Sequence, residues 1–167
     1  MASLRHSIVV TVLFTLFGGP GILLVVLPWG FTRLRVVHGW NETTGWVLIV
    51  VGLFPLLESI GRFVVIGRGT LVPTVPTERL VVSGLYRFVR NPMYLGVGLA
   101  LAGEALLFSS SRIVIELSVA GALMDTFVRF YEEPKLTRTF GEEYRRYQRH
   151  VGRWFPRITP WTGSQSR

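Results

Sequence analysis

The chain has 167 residues, the size of one domain, and its 49% hydrophobic and 17% charged residues are typical of a membrane protein. Its net charge of +8 would suit nucleic acid, but loops facing the cytoplasm and anionic headgroups carry the same basic excess, so nucleic acid is not an expected partner. Without cysteine, and with three scattered histidines, the chain offers no disulfide, thiol nucleophile or metal centre.

Four apolar segments predict four transmembrane helices, at residues 7–29, 44–66, 92–109 and 113–131. The stretch from Ser7 to Thr32 holds no charged residue, and it exceeds the roughly 20 residues that a spanning helix needs. It is too long for an ordinary signal peptide and lacks a small-residue cleavage site. The last two segments are so close in sequence that they should form a tight antiparallel hairpin.

The distribution of basic residues predicts the orientation of the chain. Only Arg33, Arg35 and Arg112, of 18 basic residues, fall on the side opposite the termini. The positive-inside rule then places both termini in the cytoplasm. We therefore expect a multi-pass integral membrane protein whose single domain spans residues 1–167.

The long loop at residues 67–91 should lie on the cytoplasmic side. Pro73 and Pro76 make its first half extended, an apolar patch at residues 80–82 can fold back against the bundle, and Gly84 permits a sharp turn. Pro92 suits the first turn of the third predicted span.

The C-terminal segment, residues 132–157, has the pattern of an amphipathic helix followed by a tail. Its apolar face should lie on the membrane interface, with three aromatic residues anchoring the tail among the lipid headgroups. The apolar face consists of Leu136, Phe140, Tyr144, Tyr147 and Val151, and the anchors are Trp154, Phe155 and Trp161.

Small residues recur along the third span at Gly96, Ala100 and Gly103. This spacing lets a neighbouring helix approach closely, and packing is the role we expect for it.

Four acidic residues lie within the predicted spans, where an unpaired charge is costly. Glu58 and Asp125 each precede an arginine by four residues, which predicts the helical ion pairs Glu58–Arg62 and Asp125–Arg129. Glu104 and Glu116 have no evident partner.

Arg129 is also within one turn of Glu132 and Glu133. These three residues are the candidate catalytic groups, and together with Asp125 we expect them to form an acid–base–acid ladder beside the loop before the third span. Such a ladder suits a zwitterionic or cationic ligand.

Three motifs occur in order between the apolar segments. They are Arg90-Asn91-Pro92-Met93-Tyr94, then Glu132-Glu133-x-x-Leu136, then Phe140-Gly141-Glu142-Glu143-Tyr144-x-x-Tyr147. Together they resemble the isoprenylcysteine carboxyl methyltransferase family and its phospholipid-methyltransferase relatives, over residues 69–156. The family pattern has histidine where this chain has Asn91, which cannot titrate. The family's substrate-carboxylate arginine falls at Val128, one residue before Arg129.

The resemblance implies an all-α integral membrane bundle with a cytoplasmic cofactor-binding loop, and S-adenosylmethionine as the cofactor. By position, the implied cofactor-binding residues are Arg79, Leu80, Val81, Tyr86, Arg90, Asn91, Pro92, Met93, Tyr94 and Glu132. A sulfonium methyl donor is a cation with an amino-acid head, so carboxylates and aromatic faces suit its pocket. The glycine-rich turn of the soluble doubly wound methyltransferases is absent from the sequence.

The sequence thus predicts methyl transfer to a lipophilic or lipid-attached carboxylate, thiol, amine or hydroxyl at the cytoplasmic face of the membrane. A membrane reductase of the sterol-reductase type, using NADPH, is the first alternative. The second is a small non-catalytic membrane protein or transporter, in which the acids within the spans line a path.

Overall fold

The computed structural model describes residues 21–26, 34–65 and 80–163, and these are helical with intervening turns. Its helices are α1 (Trp40–Val65), α2 (Pro92–Leu107), α3 (Ser111–Phe127) and α4 (Glu133–His150). Short π-helical segments occupy Ile22–Val26 and Val128–Glu132, and a 3-10 turn occupies Gly84–Arg87. Within the described ranges the only β pairing is an isolated bridge between Val89 and Gly152. The all-α fold class is therefore confirmed.

Helices α1, α2 and α3 occupy the second, third and fourth predicted spans. In the described part of the chain, one helix is long and apolar enough to cross a membrane, over Trp40–Arg62. Helix α2 is apolar but has only 16 residues. Four crossings, the orientation and the cytoplasmic loop stay predictions. Most of the predicted span at residues 7–29, and residues 67–79 of the loop, lie outside the described residues.

Glycines bring α1 and α2 together in an antiparallel pair. A Cβ atom built on Gly52 would lie 2.6 Å from the Gly96 carbonyl oxygen, and one on Gly103 would lie 2.6 Å from the Gly45 carbonyl oxygen. Side chains at these positions would force the helices apart, because backbone atoms cannot yield as a flexible side chain can. The predicted small-residue face of the third span is confirmed, and Gly45 and Gly52 complete it from α1.

Helices α2 and α3 form the predicted tight hairpin. Phe108, Ser109 and Ser110 connect them, and Ser109 takes the left-handed conformation with φ of 45°. The Ser110 amide donates to the Ala105 carbonyl at 3.0 Å, which closes the turn. Val97 and Leu101 of α2 and Ile113 of α3 belong to the apolar core of the bundle.

The apolar face of α4 is covered by protein, which corrects the prediction that it lies on the membrane interface. Tyr144 and Tyr147 are 2% and 3% exposed, and they pack with Leu80 and Val82 of the loop. The loop patch does fold back, onto α4. A sequence pattern shows that a helix face is apolar but does not show whether lipid or protein covers it.

The tail after α4 returns to the loop before α2. The Arg90 amide donates to the Gly152 carbonyl and the Arg157 amide to the Phe88 carbonyl, each at 2.9 Å. Two of the predicted anchors are used in this packing. Trp154 donates to Asp125 and the Trp161 ring contacts that of Tyr147 in a tilted arrangement, whereas Phe155 is exposed.

Candidate functional site

A turn at Gly84 positions the loop that enters α2. Gly84 has φ of +54°, and any Cβ atom there would collide with the ion-paired side chains of Glu58 and Arg62. The pair predicted from the sequence is thus confirmed and lies directly over the turn. Tyr86, two residues on, is buried, and its carbonyl accepts a hydrogen bond from the Tyr147 hydroxyl at 2.6 Å. The loop is therefore fixed between α1 and α4.

A polar cavity of about 80 Å³ lies where this loop meets the start of α4. Its walls are Leu80, Val81, Tyr86, Arg90, Asn91, Val128, Glu132, Glu133, Leu136, Tyr144 and Tyr147. The structure thus brings the first two sequence motifs, about 40 residues apart in the chain, to one place. Burial raises the pKa of the Tyr144 and Tyr147 phenols, so both remain protonated hydrogen-bond donors.

Glu132 is the acid in this cavity that has few protein partners. Its Oε2 accepts a hydrogen bond from the Tyr94 hydroxyl at 3.2 Å. Burial raises the pKa of Glu132, the Tyr94 hydrogen bond opposes that shift, and the neighbouring Glu133 charge adds to it. A carboxylate in this setting is stabilised by a bound cation, because the cation removes the cost of holding the charge out of water.

Glu133, in contrast, is the centre of an ion-pair network. Arg153 contacts both of its oxygens at 2.7 Å, Arg90 lies at 3.0 Å, and the Gln148 amide donates at 3.3 Å. A carboxylate with this many partners holds structure together and has little capacity left for a ligand. The structure thus places the predicted catalytic Glu133 as the residue that joins the loop, α4 and the tail.

Arg90 is fixed by Glu133 but retains an unused donor. Its Nε is buried and has no hydrogen-bond partner among the described residues, although Arg90 lines the polar cavity. A guanidinium donor left in this way can bind a carboxylate. Asn91 beside it donates to the Arg153 carbonyl at 3.2 Å, a contact that needs no titratable group.

Arg129 does not line the polar cavity. Its Nε contacts Asp125 Oδ2 at 2.6 Å, and its side chain is 50% exposed. The predicted Asp125–Arg129 pair is therefore confirmed, but the predicted acid–base–acid ladder is wrong. Arg90 and Arg153 reach Glu133 from the loop and the tail, a contact that helical spacing cannot reveal.

The remaining predicted cofactor residues are placed as follows. Pro92 is fully buried in the first turn of α2, and Met93 packs on the bundle core. Neither lines the polar cavity. Val128, at the position of the family's substrate arginine, is buried in the cavity wall. Arg79 lies outside the described residues.

A second cavity, the apolar cavity, has a volume of about 340 Å³ and lies between α2 and α3. Its walls are Tyr94, Leu95, Gly98, Leu99, Leu101, Leu117, Ala120, Gly121, Met124, Asp125 and Trp154. Tyr94 lines this cavity and hydrogen-bonds Glu132, which lines the polar one. The two cavities are therefore adjacent, with the Tyr94–Glu132 contact between them.

Sequence reasoning missed Arg153 and Trp154 as site residues. Trp154 lines the apolar cavity, donates to Asp125 Oδ1 at 2.7 Å, and contacts the Tyr94 ring edge-to-face at 6.3 Å. Both residues lie in the tail beyond α4, and their roles depend on the tail folding back. In the sequence, Trp154 indicated only an anchor among the lipid headgroups.

Comparisons with known proteins agree with the motif resemblance. Residues 40–143, more than half of the chain, match the model of the phospholipid methyltransferase family. The chain is 32% identical to a methanethiol S-methyltransferase of Pseudomonas deceptionensis over 126 residues, 72% of this chain and 45% of that protein. The matched region thus covers less than half of that relative's length.

A second relative is the cobalt-zinc-cadmium resistance protein CzcN of Cupriavidus metallidurans, 27% identical over 151 residues, 87% of this chain and 67% of that protein. No solved structure matches the chain. The family match includes most of the residues that line the two cavities, and Tyr144, Tyr147 and Trp154 lie beyond it. The chain belongs to the phospholipid methyltransferase family of membrane methyltransferases.

Proposed function

We propose that this protein transfers a methyl group from S-adenosylmethionine to a lipophilic acceptor at the cytoplasmic face of the membrane. One observation carries the proposal: a polar cavity with an acid in its wall and an apolar cavity between helices are adjacent, with the Tyr94–Glu132 contact between them. A methyl transferase needs such a junction, because a charged donor and an apolar acceptor must meet with water excluded.

The residues of the polar cavity fit this cofactor by their chemistry. The Arg90 Nε, which has no hydrogen-bond partner in the described part of the chain, suits the carboxylate of an amino-acid head, and the Glu132 carboxylate suits positive charge. Tyr86 and Tyr144 add aromatic faces, which attract cations. The volume of about 80 Å³ is that of about three waters, so the walls must separate when the cofactor binds.

When bound, S-adenosylmethionine supplies an electrophilic methyl group on a positively charged sulfur. The protein's part is positioning and exclusion of water, which can supply roughly 7–11 kcal/mol of the barrier. Tyr94 is held from two sides, by its hydrogen bond to Glu132 and by edge-to-face contact with Trp154. Val128 and Leu136 close the polar cavity with apolar surface.

Family membership supports methyl transfer, and the similarity to a methanethiol S-methyltransferase supports sulfur as one acceptor atom. The cytoplasmic orientation and the multi-pass topology are supported by the distribution of basic residues and by the apolar length of α1. Membrane lipid is the natural reservoir for a lipophilic acceptor that enters between helices.

Two measurements on purified protein in lipid nanodiscs test the proposal. Calorimetric titration should show binding of S-adenosylmethionine and its demethylated product, and label from the methyl group of the donor should appear in an added lipophilic acceptor. Binding of NADPH instead would favour the reductase. Transport abolished by acid-to-amide changes at Glu104 and Glu116, with no methyl transfer, would favour the transporter.

A matched pair of variants locates the site. Tyr94→Phe removes the hydroxyl at the junction and should weaken cofactor binding. Tyr131→Phe removes a hydroxyl from an exposed residue that lines neither cavity, so binding should be unchanged. Equal effects of the two changes would refute the assignment of the site.

A further inference from the structure

Two glycines in the wall of the apolar cavity leave space that no described side chain fills. We propose that Gly98 and Gly121 keep this cavity open as the acceptor site, and that it accepts molecules whose apolar bulk, a ring or a branch, lies next to the reacting atom. This inference rests on the proposed function and adds to it the residues that select the acceptor. Gly98 lies in α2 and Gly121 in α3, and both line the cavity.

Neither glycine is needed for the contact between helices. A Cβ atom on Gly98 would lie 3.9 Å from Leu117 Cδ1, an ordinary contact, and one on Gly121 would have no neighbouring atom within 4 Å in the described part of the chain. In contrast, Cβ atoms on Gly52 and Gly103 would lie 2.6 Å from carbonyl oxygens of the facing helix. Gly98 and Gly121 also lack the positive φ that favours glycine. Since glycine is less stable than alanine inside a helix, neither packing nor backbone geometry explains these two residues.

The two glycines lie at one level of the α2–α3 hairpin, one helical turn from its polar end. Gly98 follows Tyr94 by four residues and Gly121 precedes Asp125 by four, so each shares a helix face with its polar neighbour. Trp154 joins the two polar residues, because it contacts the Tyr94 ring and donates to the Asp125 carboxylate. At a rise of 1.5 Å per residue, the open level is roughly 6 Å along the helix axis from Tyr94.

The position of this space determines which part of an acceptor occupies it. A molecule whose nucleophilic atom lies at the Tyr94–Glu132 contact would place the next atoms of its body between the two glycines. Leu99, Leu117 and Met124 supply apolar surface in the same cavity. A straight chain would leave part of the space unfilled, whereas a ring or a branch would fill it and gain contacts. The cavity therefore favours bulk close to the reacting atom.

The size and the opening of the cavity suit such an acceptor. Its volume of about 340 Å³ is near the lower end of the roughly 300–1,000 Å³ range of small-molecule pockets. Gly121 is exposed, so the cavity reaches the surface of the hairpin at the open level. An apolar molecule can thus enter from the side of the bundle without crossing the polar cavity.

Alanine variants first test whether the glycines serve packing. Gly98→Ala and Gly121→Ala should have thermal midpoints equal to or above that of the wild-type protein, because the added methyl group meets no close neighbour and alanine favours a helix. Their affinity for S-adenosylmethionine, measured by calorimetry on protein in lipid nanodiscs, should be unchanged, since neither residue lines the polar cavity.

The acceptor preference is then measured with pairs of molecules that have the same reacting group and the same number of carbons. The pairs are cyclohexanethiol and hexanethiol, cyclohexylamine and hexylamine, cyclohexanol and hexanol, and cyclohexanecarboxylate and heptanoate. The wild-type protein should have the higher kcat/KM for the cyclohexyl member of each pair that it methylates.

Each alanine variant should lower the ratio of kcat/KM between the cyclohexyl and the straight acceptor at least about tenfold, because one methylene too many in a filled pocket costs roughly 10- to 200-fold. Gly61→Ala is the control: its Cβ atom meets nothing within 4 Å in the described chain, and it lines neither cavity, so the ratio should be unchanged. Partitioning into the membrane cancels, because it is the same for every variant.

The outcomes separate this inference from the proposed function. Lower thermal midpoints for both alanine variants would show that the glycines serve packing, and an unchanged ratio in both would show that lipid alone occupies this space; either result overturns the inference. A wild-type preference for the straight acceptors, or cofactor binding without transfer to any cyclohexyl acceptor, would overturn it as well. Absence of cofactor binding by the wild-type protein would instead remove the proposed function.

Discussion

Two adjacent carboxylates with opposite surroundings allow one decisive pair of substitutions. Glu132→Gln and Glu133→Gln make the same chemical change one residue apart. Glu132 has the Tyr94 hydroxyl as its hydrogen-bond partner, whereas Glu133 has Arg153 on both oxygens, with Arg90 and Gln148 beside them. We expect the first change to weaken cofactor binding and the second to destabilise the fold.

The magnitudes follow from these contacts. Breaking a buried ion pair costs about 3–5 kcal/mol, and glutamine retains one acceptor, so Glu133→Gln should lower the free energy of unfolding by about 2–3 kcal/mol. Glu132→Gln keeps an acceptor for Tyr94 and removes a like charge beside Glu133, so its effect on stability should be within about 1 kcal/mol. Loss of a charge-assisted contact to a cation costs about 1.5–3 kcal/mol, or roughly 10- to 150-fold in Kd.

Stability is measured by denaturant or thermal unfolding in detergent, and cofactor affinity by calorimetry on folded protein. The cofactor affinity of Glu133→Gln is measured only under conditions in which its unfolding curve shows folded protein. The reverse pattern, in which Glu133→Gln is stable but cannot bind and Glu132→Gln binds normally, would refute the distinction between the two acids.

Three further predictions concern other parts of the structure. Gly52→Ala should lower the free energy of unfolding by about 1–3 kcal/mol, since its Cβ would lie 2.6 Å from a carbonyl oxygen of α2. Gly61→Ala is the control, because a Cβ there meets nothing within 4 Å, and it should be neutral or stabilising. Equal thermal midpoints for the two variants would contradict this. Asn91→His should leave the free energy of unfolding nearly unchanged, because an imidazole N–H can replace the amide that donates to the Arg153 carbonyl. Asn91→Ala should lower the free energy of unfolding by about 1 kcal/mol in the same assay. Burial raises the pKa of Glu132 above its usual 4.5. Affinity for the cationic cofactor, measured by calorimetry, should therefore fall as the pH drops through that raised pKa. Glu132→Gln should remove this pH dependence of the affinity. The sign for stability is opposite: the free energy of unfolding should decline as the pH rises from 4.5 towards the raised pKa, since the folded state binds the extra proton in that window.

Local patterns in the sequence predicted the elements and the close helix contact. The pairs Glu58–Arg62 and Asp125–Arg129 follow from helical spacing, the hairpin follows from the short separation at Ser110, and the glycine contact follows from Gly96 and Gly103. Each of these depends on neighbours in the chain or on one helix face. The family was predicted from the resemblance of the three motifs.

The long-range contacts were not predicted from the sequence. Arg153 pairs with Glu133 across 20 residues, and Trp154 with Asp125 across 29, because the tail folds back along the loop. The same return path places protein over the apolar face of α4, where lipid was expected, and leaves Arg129 on the outside. The spacing of residues within a helix does not predict that the tail folds back, since these contacts depend on the path of the chain after His150.

The most direct test of the central claim is an experimental structure of the protein with S-adenosylhomocysteine, the demethylated product of the cofactor. Our account predicts the ligand in an opened polar cavity between the loop and α4, with its carboxylate at Arg90 and its sulfur beside the Tyr94–Glu132 contact, facing the apolar cavity. A ligand bound elsewhere, or a sulfur separated from the apolar cavity by packed side chains, would contradict it.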